Sequence, residues 1–201
     1  METAAPSPAH LALVAQRRAD LRAALAGVLP PAARFVCEIG CGHGHFLTAY
    51  AAAHPDEFCL GFDVSAERIA RAVRKRDRAA GANLHFFHAE ALDFLAALPA
   101  DAGFRAIFML FPDPWPKRRH HKNRLLQSSF LQELAMRTGQ GMRFYFRTDH
   151  RGYFTQATAV LAAHSAWRLD PAAPWPFEES TVFQQRAPAY QSLVAERTAA
   201  S

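Results

Sequence analysis

The chain has 201 residues, enough for one full hydrophobic core, and this length predicts a single domain. Half the residues are hydrophobic and a fifth are charged, as in ordinary globular proteins. No apolar run approaches the roughly 20 residues that a membrane span needs. From Ala9 to Val28, Leu11, Val14, Leu21 and Leu25 recur at helical intervals, and Gly27, Pro30 and Pro31 end the pattern; this predicts an N-terminal helical segment at 1–33, docked on a core at 34–201. Phe35 to Ile39 reads as a strand that breaks into the glycine turn Gly40-Cys41-Gly42-His43-Gly44, with a helix from about His45 to His54. Phe58 to Phe62 is a second strand, ending on Asp63. Ser65 caps the next helix, with Arg68 and Arg71 outward and Ile69 and Val73 inward, and Gly81 to Asn83 stops it before a third strand at Leu84 to Phe87. A short helix at Leu92 to Leu98 follows Glu90, and the unbroken apolar run Ala106 to Phe111 predicts a strand buried on both faces. A helix at about Arg124 to Arg137 leads to a fifth strand, Met142 to Phe146, which ends near Thr148 and Asp149. The last fifty residues are less regular: a helix near Tyr153 to His164, a proline-rich loop at Pro171 to Pro176, then Thr181 to Arg186.

Regular alternation of strand and helix predicts an α/β fold, with a mostly parallel central sheet, helices on both faces and ligands outside the carboxyl ends of the strands. Each predicted strand ends there in a candidate functional residue: Glu38 with Gly40, then Asp63, Glu90, Asp113 and Asp149. Gly40, Gly42 and Gly44 let backbone pass close to a ligand, and Asp63, 23 residues after Gly40, is placed to accept hydrogen bonds from two ribose hydroxyls. A pyrophosphate wants backbone N–H groups and a helix N-terminus, whereas S-adenosylmethionine carries a sulfonium and an ammonium. The acidic groups Glu38, Glu90 and Asp113 suit the cationic cofactor, and the spacing Gly-x-Gly-x-Gly is one residue short of the dinucleotide pattern.

The net charge of +5 is unevenly placed. One basic cluster comprises Arg68, Arg71, Arg74, Lys75, Arg76 and Arg78; the other comprises Lys117, Arg118, Arg119, Lys122 and Arg124, and each reads either as a polyanion contact or as a solvated face. The start of the chain lacks the basic-then-apolar order of a signal peptide, which leads us to expect a cytoplasmic protein. Cys37, Cys41 and Cys59 are odd in number and unpaired in spacing, so buried thiols are expected rather than disulfides or zinc ligands. His43, His45, His120 and His121 lack a third partner at ligand spacing, and no metal is expected.

The run Phe111-Pro112-Asp113-Pro114-Trp115-Pro116-Lys117-Arg118-Arg119-His120-His121-Lys122 is the most specific feature. With Glu38 to Gly42, Asp63, Glu90 and Thr148-Asp149, it resembles the bacterial transfer RNA (guanine-nitrogen-7)-methyltransferase family, a class I Rossmann-like group, over about Glu38 to Arg186. The resemblance implies S-adenosylmethionine-dependent methylation of nitrogen-7 of a guanosine in tRNA. It implies that Glu38, Asp63, Glu90 and Asp113, with the turn at Gly40 and Gly42, hold the cofactor. It assigns the guanosine and its surroundings to Lys117, Asp149 and the segment Thr181, Val182, Phe183 and Gln184. Arg118, Arg119 and Lys122 would hold phosphates, and Asp113 and Asp149 would bear on catalysis. No membrane and no obligate protein partner is implied.

Each residue also has a plainer reading. Glu38 could tether a loop, Asp113 could serve a turn between two prolines, Asp149 could cap a helix, and Trp115 could pack or stack. The chain departs from the family in Gln184, where a glutamate is usual, in His150, where an aromatic is commoner, and in a shorter, less basic leader. An amide offers one acceptor and a competing donor to guanine where a carboxylate offers two acceptors. An impaired tRNA-binding paralogue, a methyltransferase for another nucleic acid, and a dinucleotide oxidoreductase therefore stay open on the sequence.

Overall fold

The computed structural model describes residues 7–79, 81–179 and 189–199. Thr181, Val182, Phe183 and Gln184 lie outside them. Among the described residues seven strands form one sheet: β1 (Arg34–Ile39), β2 (Phe58–Asp63), β3 (Leu84–His88), β4 (Gly103–Leu110), β5 (Thr138–Thr148), β6 (Trp167–Leu169) and β7 (Gln191–Arg197), in the order β3-β2-β1-β4-β5-β7-β6. Pairings from β3 through β5 are parallel, and β7 runs antiparallel to both β5 and β6. The order reverses at β1, whose neighbours are β2 and β4, and a ligand crevice is expected outside the carboxyl ends of the strands there.

Strand periodicity divides the core into two layers. On β1, Phe35, Cys37 and Ile39 face one way, toward α1 (Pro8–Ala26), α4 (Ala91–Ala97), α5 (Ser128–Ala135) and α6 (Arg151–Ala162). Val36 faces the other, with α2 (His45–Ala53) and α3 (Ala66–Arg78). Phe46 of α2 packs on Phe108 of β4, ring centroids 4.8 Å apart. Gly44 does not line the ligand crevice; with φ +67°, it lets the start of α2 lie against β3 and α3, since a Cβ there would lie 2.6 Å from Phe86 and 2.9 Å from Ala72. The three cysteines are buried free thiols, as expected.

Several boundaries differ from expectation. The predicted Arg124–Arg137 helix is the shorter α5, Ser128–Ala135, and a 3₁₀ helix at Arg118–Asn123 precedes it. Gly139 and Gly141 fall within β5 rather than before it. Only the C-terminal part of α1 docks: Leu25 is buried and Leu21 half-buried, whereas Leu11 is exposed. Arg17 and Arg18 reach Asp93 of α4 at 3.4 and 2.6 Å. The sequence pattern predicts neither β6 nor β7. No helix among the described residues is long and apolar enough to cross a membrane.

Candidate functional site

A crevice of about 700 Å³ opens at the carboxyl ends of β1, β2 and β4, lined by Glu38, Gly40, Gly42, Asp63, Glu90 and Asp113 among others. All six residues expected at a cofactor thus meet in one place. The glycine turn is held from within. Gly40 and Cys41 both donate to the carbonyl of Phe62, at 2.9 and 3.0 Å, and Gly44 donates to the carbonyl of Cys41 at 2.9 Å. Gly42 donates to Asp63 Oδ2 at 3.0 Å. Those N–H groups therefore have acceptors already, and a pyrophosphate would have to break these bonds to use them. That weighs against the dinucleotide reading.

Glu38 is a strongly perturbed acid in the crevice. It is buried, and burial pushes its carboxyl up to about 8; the Leu47 backbone N–H in the first turn of α2 draws it down, and nearby Asp63 raises it further. Its Oε2 is buried with no hydrogen-bond partner. The Leu47 N–H contact tethers α2 to the carboxyl, and the acceptor left over beside the crevice is what a cationic ligand would complete. Asp63 is also buried; besides Gly42 it accepts from Ser65 N–H through Oδ1 at 2.8 Å, with Arg68 at 3.7 Å. Its oxygens keep further lone pairs for ribose hydroxyls. Glu90 is exposed at the start of α4.

After β4 the chain turns sharply. Phe111 has φ +49° and Trp115 has φ +42°, left-handed conformations that cost about 1 kcal/mol or more each for such side chains. The loop is pinned at both ends of this turn. Phe111 N–H donates to the carbonyl of Arg147 at 2.8 Å, and Asp113 Oδ1 accepts from Trp115 N–H at 3.0 Å. Arg124, which the sequence groups with the surface cations, is instead 2% exposed. Its Nε donates to the Pro114 carbonyl at 2.7 Å, its Nη1 to Gln156 Oε1 at 2.6 Å and to the Gly152 carbonyl at 3.2 Å, and its guanidinium lies 4.9 Å from the Tyr153 ring. It holds the loop rather than meeting solvent. Trp115 is half-buried on the crevice wall, edge-on to His120 with centroids 5.9 Å apart.

The residues expected at the substrate are placed differently. Lys117, Arg118, Arg119 and Lys122 sit on and just before the 3₁₀ turn, and all are exposed. Asp149 is exposed just after β5, and neither it nor those cations line the crevice, contrary to the expectation that all the strand-end residues converge there. The helix-capping alternative for Asp149 is removed: His150 caps α6, its Nδ1 accepting from Tyr153 N–H at 3.1 Å, while His150 N–H donates to Thr148 Oγ1 at 3.1 Å. Sequence reasoning missed Tyr153, which lines the crevice and is fully buried; its spacing with Ala157 and Leu161 along α6 was the available signal.

A family profile described as "Putative methyltransferase" matches residues 32–192. A tRNA (guanine-N(7)-)-methyltransferase of Thermus thermophilus is 35% identical over 139 residues, covering 69% of this chain and 45% of that protein. The enzyme of the same name from Thiobacillus denitrificans is 34% identical over 170 residues, covering 83% of this chain and 73% of that protein. This chain spans between 45% and 60% of the length of four such relatives. Among solved structures, a precorrin-6y C5,15-methyltransferase from Geobacter metallireducens superposes with a TM-score of 0.57 over 92% of this chain and 87% of that one, at 12% identity, which bears on the fold alone. The fold is the class I Rossmann-like one, and the chain belongs to the tRNA (guanine-N(7)-)-methyltransferase family.

Proposed function

We propose that this protein transfers a methyl group from S-adenosylmethionine to nitrogen-7 of a guanosine in tRNA, in the cytoplasm, and that residues 1–201 act as a single domain in doing so. The observation that carries the reading is the unpartnered buried oxygen of Glu38 in a crevice ringed by Asp63, Glu90 and Asp113. Four carboxyl groups against one lining arginine, Arg68, favour a cation. The Glu38 carboxyl would answer its positive charge, Asp63 the ribose hydroxyls, and Glu90 and Asp113 the remainder of the molecule. The bound cofactor supplies a methyl carbon made electrophilic by its sulfonium.

Nitrogen-7 of guanine has an in-plane lone pair and needs no deprotonation before it attacks. The residues therefore align and stabilise rather than remove a proton. Asp149, exposed at the carboxyl end of β5 and free of a capping duty, would stabilise the purine as it becomes cationic. Lys117 with Arg118, Arg119 and Lys122 would hold phosphates; such contacts position an RNA without reading its sequence. The Gln184 segment would complete the guanine contacts. Incubation with labelled S-adenosylmethionine and unmodified tRNA, followed by chain cleavage at 7-methylguanosine, tests the whole reading. Label at another atom, or retained cofactor binding without product, would overturn it.

A further inference from the structure

Helix α3 carries six cations against Glu67 and Asp77, so its 13 residues supply four of the five net positive charges of the chain. Part of this is answered locally: Arg71 lies 2.6 Å from Glu67, Arg76 lies 2.6 Å from Asp77, and Arg68 lies 3.7 Å from Asp63. Arg74, Lys75 and Arg78 have no carboxylate within 4.0 Å among the described residues. Lys75 Nζ is buried without a hydrogen-bond partner, and Glu179 is the acidic group whose field reaches it. Arg71, Arg74 and Arg78 are all exposed, and their i, i+3, i+7 spacing puts them on the side of the helix opposite buried Ile69 and Ala72. Like charges at such spacing repel each other. A helix serving solubility alone would intersperse the two signs.

The position of this stripe matters as much as its charge. Arg68 and His43 form the crevice wall on the α3 side, and Trp115 and Asn123 form it on the side of the basic loop. α3 follows β2 and the loop follows β4, with β1 between them, so the two basic stretches flank one opening. Between crevice and stripe, burial first and then Arg71, Arg68 and Lys75 hold the His43 imidazole below its usual range, with Glu67 opposing them weakly. The field on this rim is positive.

We infer that the Arg71, Arg74 and Arg78 face of α3 is a second phosphate-binding surface, which grips the backbone of the same RNA whose guanosine enters the crevice. This inference rests on the reading of tRNA as substrate. A nucleoside seated between two basic stretches carries its flanking phosphates toward both, and three cations over about 10 Å of helix match a polyanion better than a small anion.

The test replaces Arg71, Arg74 and Arg78 together by glutamine in the full chain and follows binding of unmodified tRNA by filter binding across salt concentrations. The logarithmic salt slope should fall by about two to three, at about 0.9 for each phosphate no longer neutralised, and affinity at low salt by about tenfold or more. Calorimetry should show S-adenosylmethionine binding as in the parent. Arg71→Lys, Arg74→Lys and Arg78→Lys together should keep the parent slope, since phosphate binding here needs charge rather than the guanidinium fork. If the triple variant fails to fold, the single glutamine variants carry the test, each lowering the slope by about 0.9. An unchanged slope in variants of a parent that binds and methylates tRNA overturns this surface and leaves the proposed function standing. A parent that binds no tRNA overturns both.

Discussion

Glu38 makes the sharpest prediction, because the same burial that raises its pKa couples cofactor binding to a proton. In the free protein the group's pKa is raised from 4.5 to about 8, so its contribution to stability is fully present below about pH 4.5 and is lost as pH rises through about 8. The whole span corresponds to on the order of 5 kcal/mol, at 1.36 kcal/mol per unit. A cation bound beside the unpartnered Oε2 reverses this preference and draws the carboxyl back toward its ordinary range. At pH 7 the free carboxyl is then about nine-tenths protonated, and binding S-adenosylmethionine should release close to one proton. Between about pH 5.5 and 7, below the range where the ligand's own amino group titrates, affinity should rise about tenfold per pH unit. Calorimetry in buffers of different ionisation enthalpy counts the proton directly. Glu38→Gln should abolish the release, flatten the pH dependence of affinity, weaken binding at pH 7 by about tenfold, and make the free protein more stable than the parent above pH 8. Binding without proton release in the parent would refute the reasoning, since it would mean that Glu38 stays protonated beside the ligand or lies away from its charge.

Three further variants separate cofactor, scaffold and substrate roles. Asp63→Ala should weaken S-adenosylmethionine binding by at least about tenfold in calorimetry and also lower the thermal midpoint, because Gly42 and Ser65 N–H groups lose their acceptor at about 1 kcal/mol or more each. Arg124→Met should destabilise by about 2 to 4 kcal/mol in denaturant unfolding with the salt slope of tRNA binding unchanged; a lower slope at parental stability would return Arg124 to the RNA surface. Asp149→Asn should leave the unfolding midpoint alone, because His150 caps α6, yet lower the single-turnover rate at saturating cofactor and RNA by about a hundredfold, about 3 kcal/mol of transition-state stabilisation. A saturated rate equal to the parent's would take Asp149 out of the mechanism.

The parallel half of the sheet was readable because each strand there announces itself twice, by an apolar run and by the turn or acidic residue at its end. Glu38 with Gly40, Asp63 and Asp113 mark the ends of β1, β2 and β4, and register then brings those residues together without further information. The antiparallel half carries no such mark. β6 has three residues, and β7 has its first two residues exposed and then Leu193, Val194 and Ala195 buried in succession, so β6 lacks the length of a strand and β7 its alternation. Arg124 misled for a related reason. In sequence it continues a basic run, and only the fold reveals that it turns inward to the Pro114 carbonyl and Gln156 while its neighbours stay outside.

The substrate half resisted reading because its residues come from loops whose geometry the strands do not dictate. Asp149 stands one residue beyond β5, and that single step separates the buried Thr148 from an exposed position. Its neighbour His150 takes the cap by accepting from Tyr153 N–H, and Tyr153 in turn closes the crevice floor and receives the guanidinium of Arg124 against its ring. The histidine at position 150 thus has a structural consequence: the capping task falls to an imidazole, and the carboxylate beside it is left with no capping duty. An exposed carboxylate at the end of a buried strand, next to a strained loop pinned by Arg124 and Arg147, costs little in stability and stays open to a ligand. That reasoning, more than the position of Asp149 in the sequence, is why its partner should be the guanosine and not the helix.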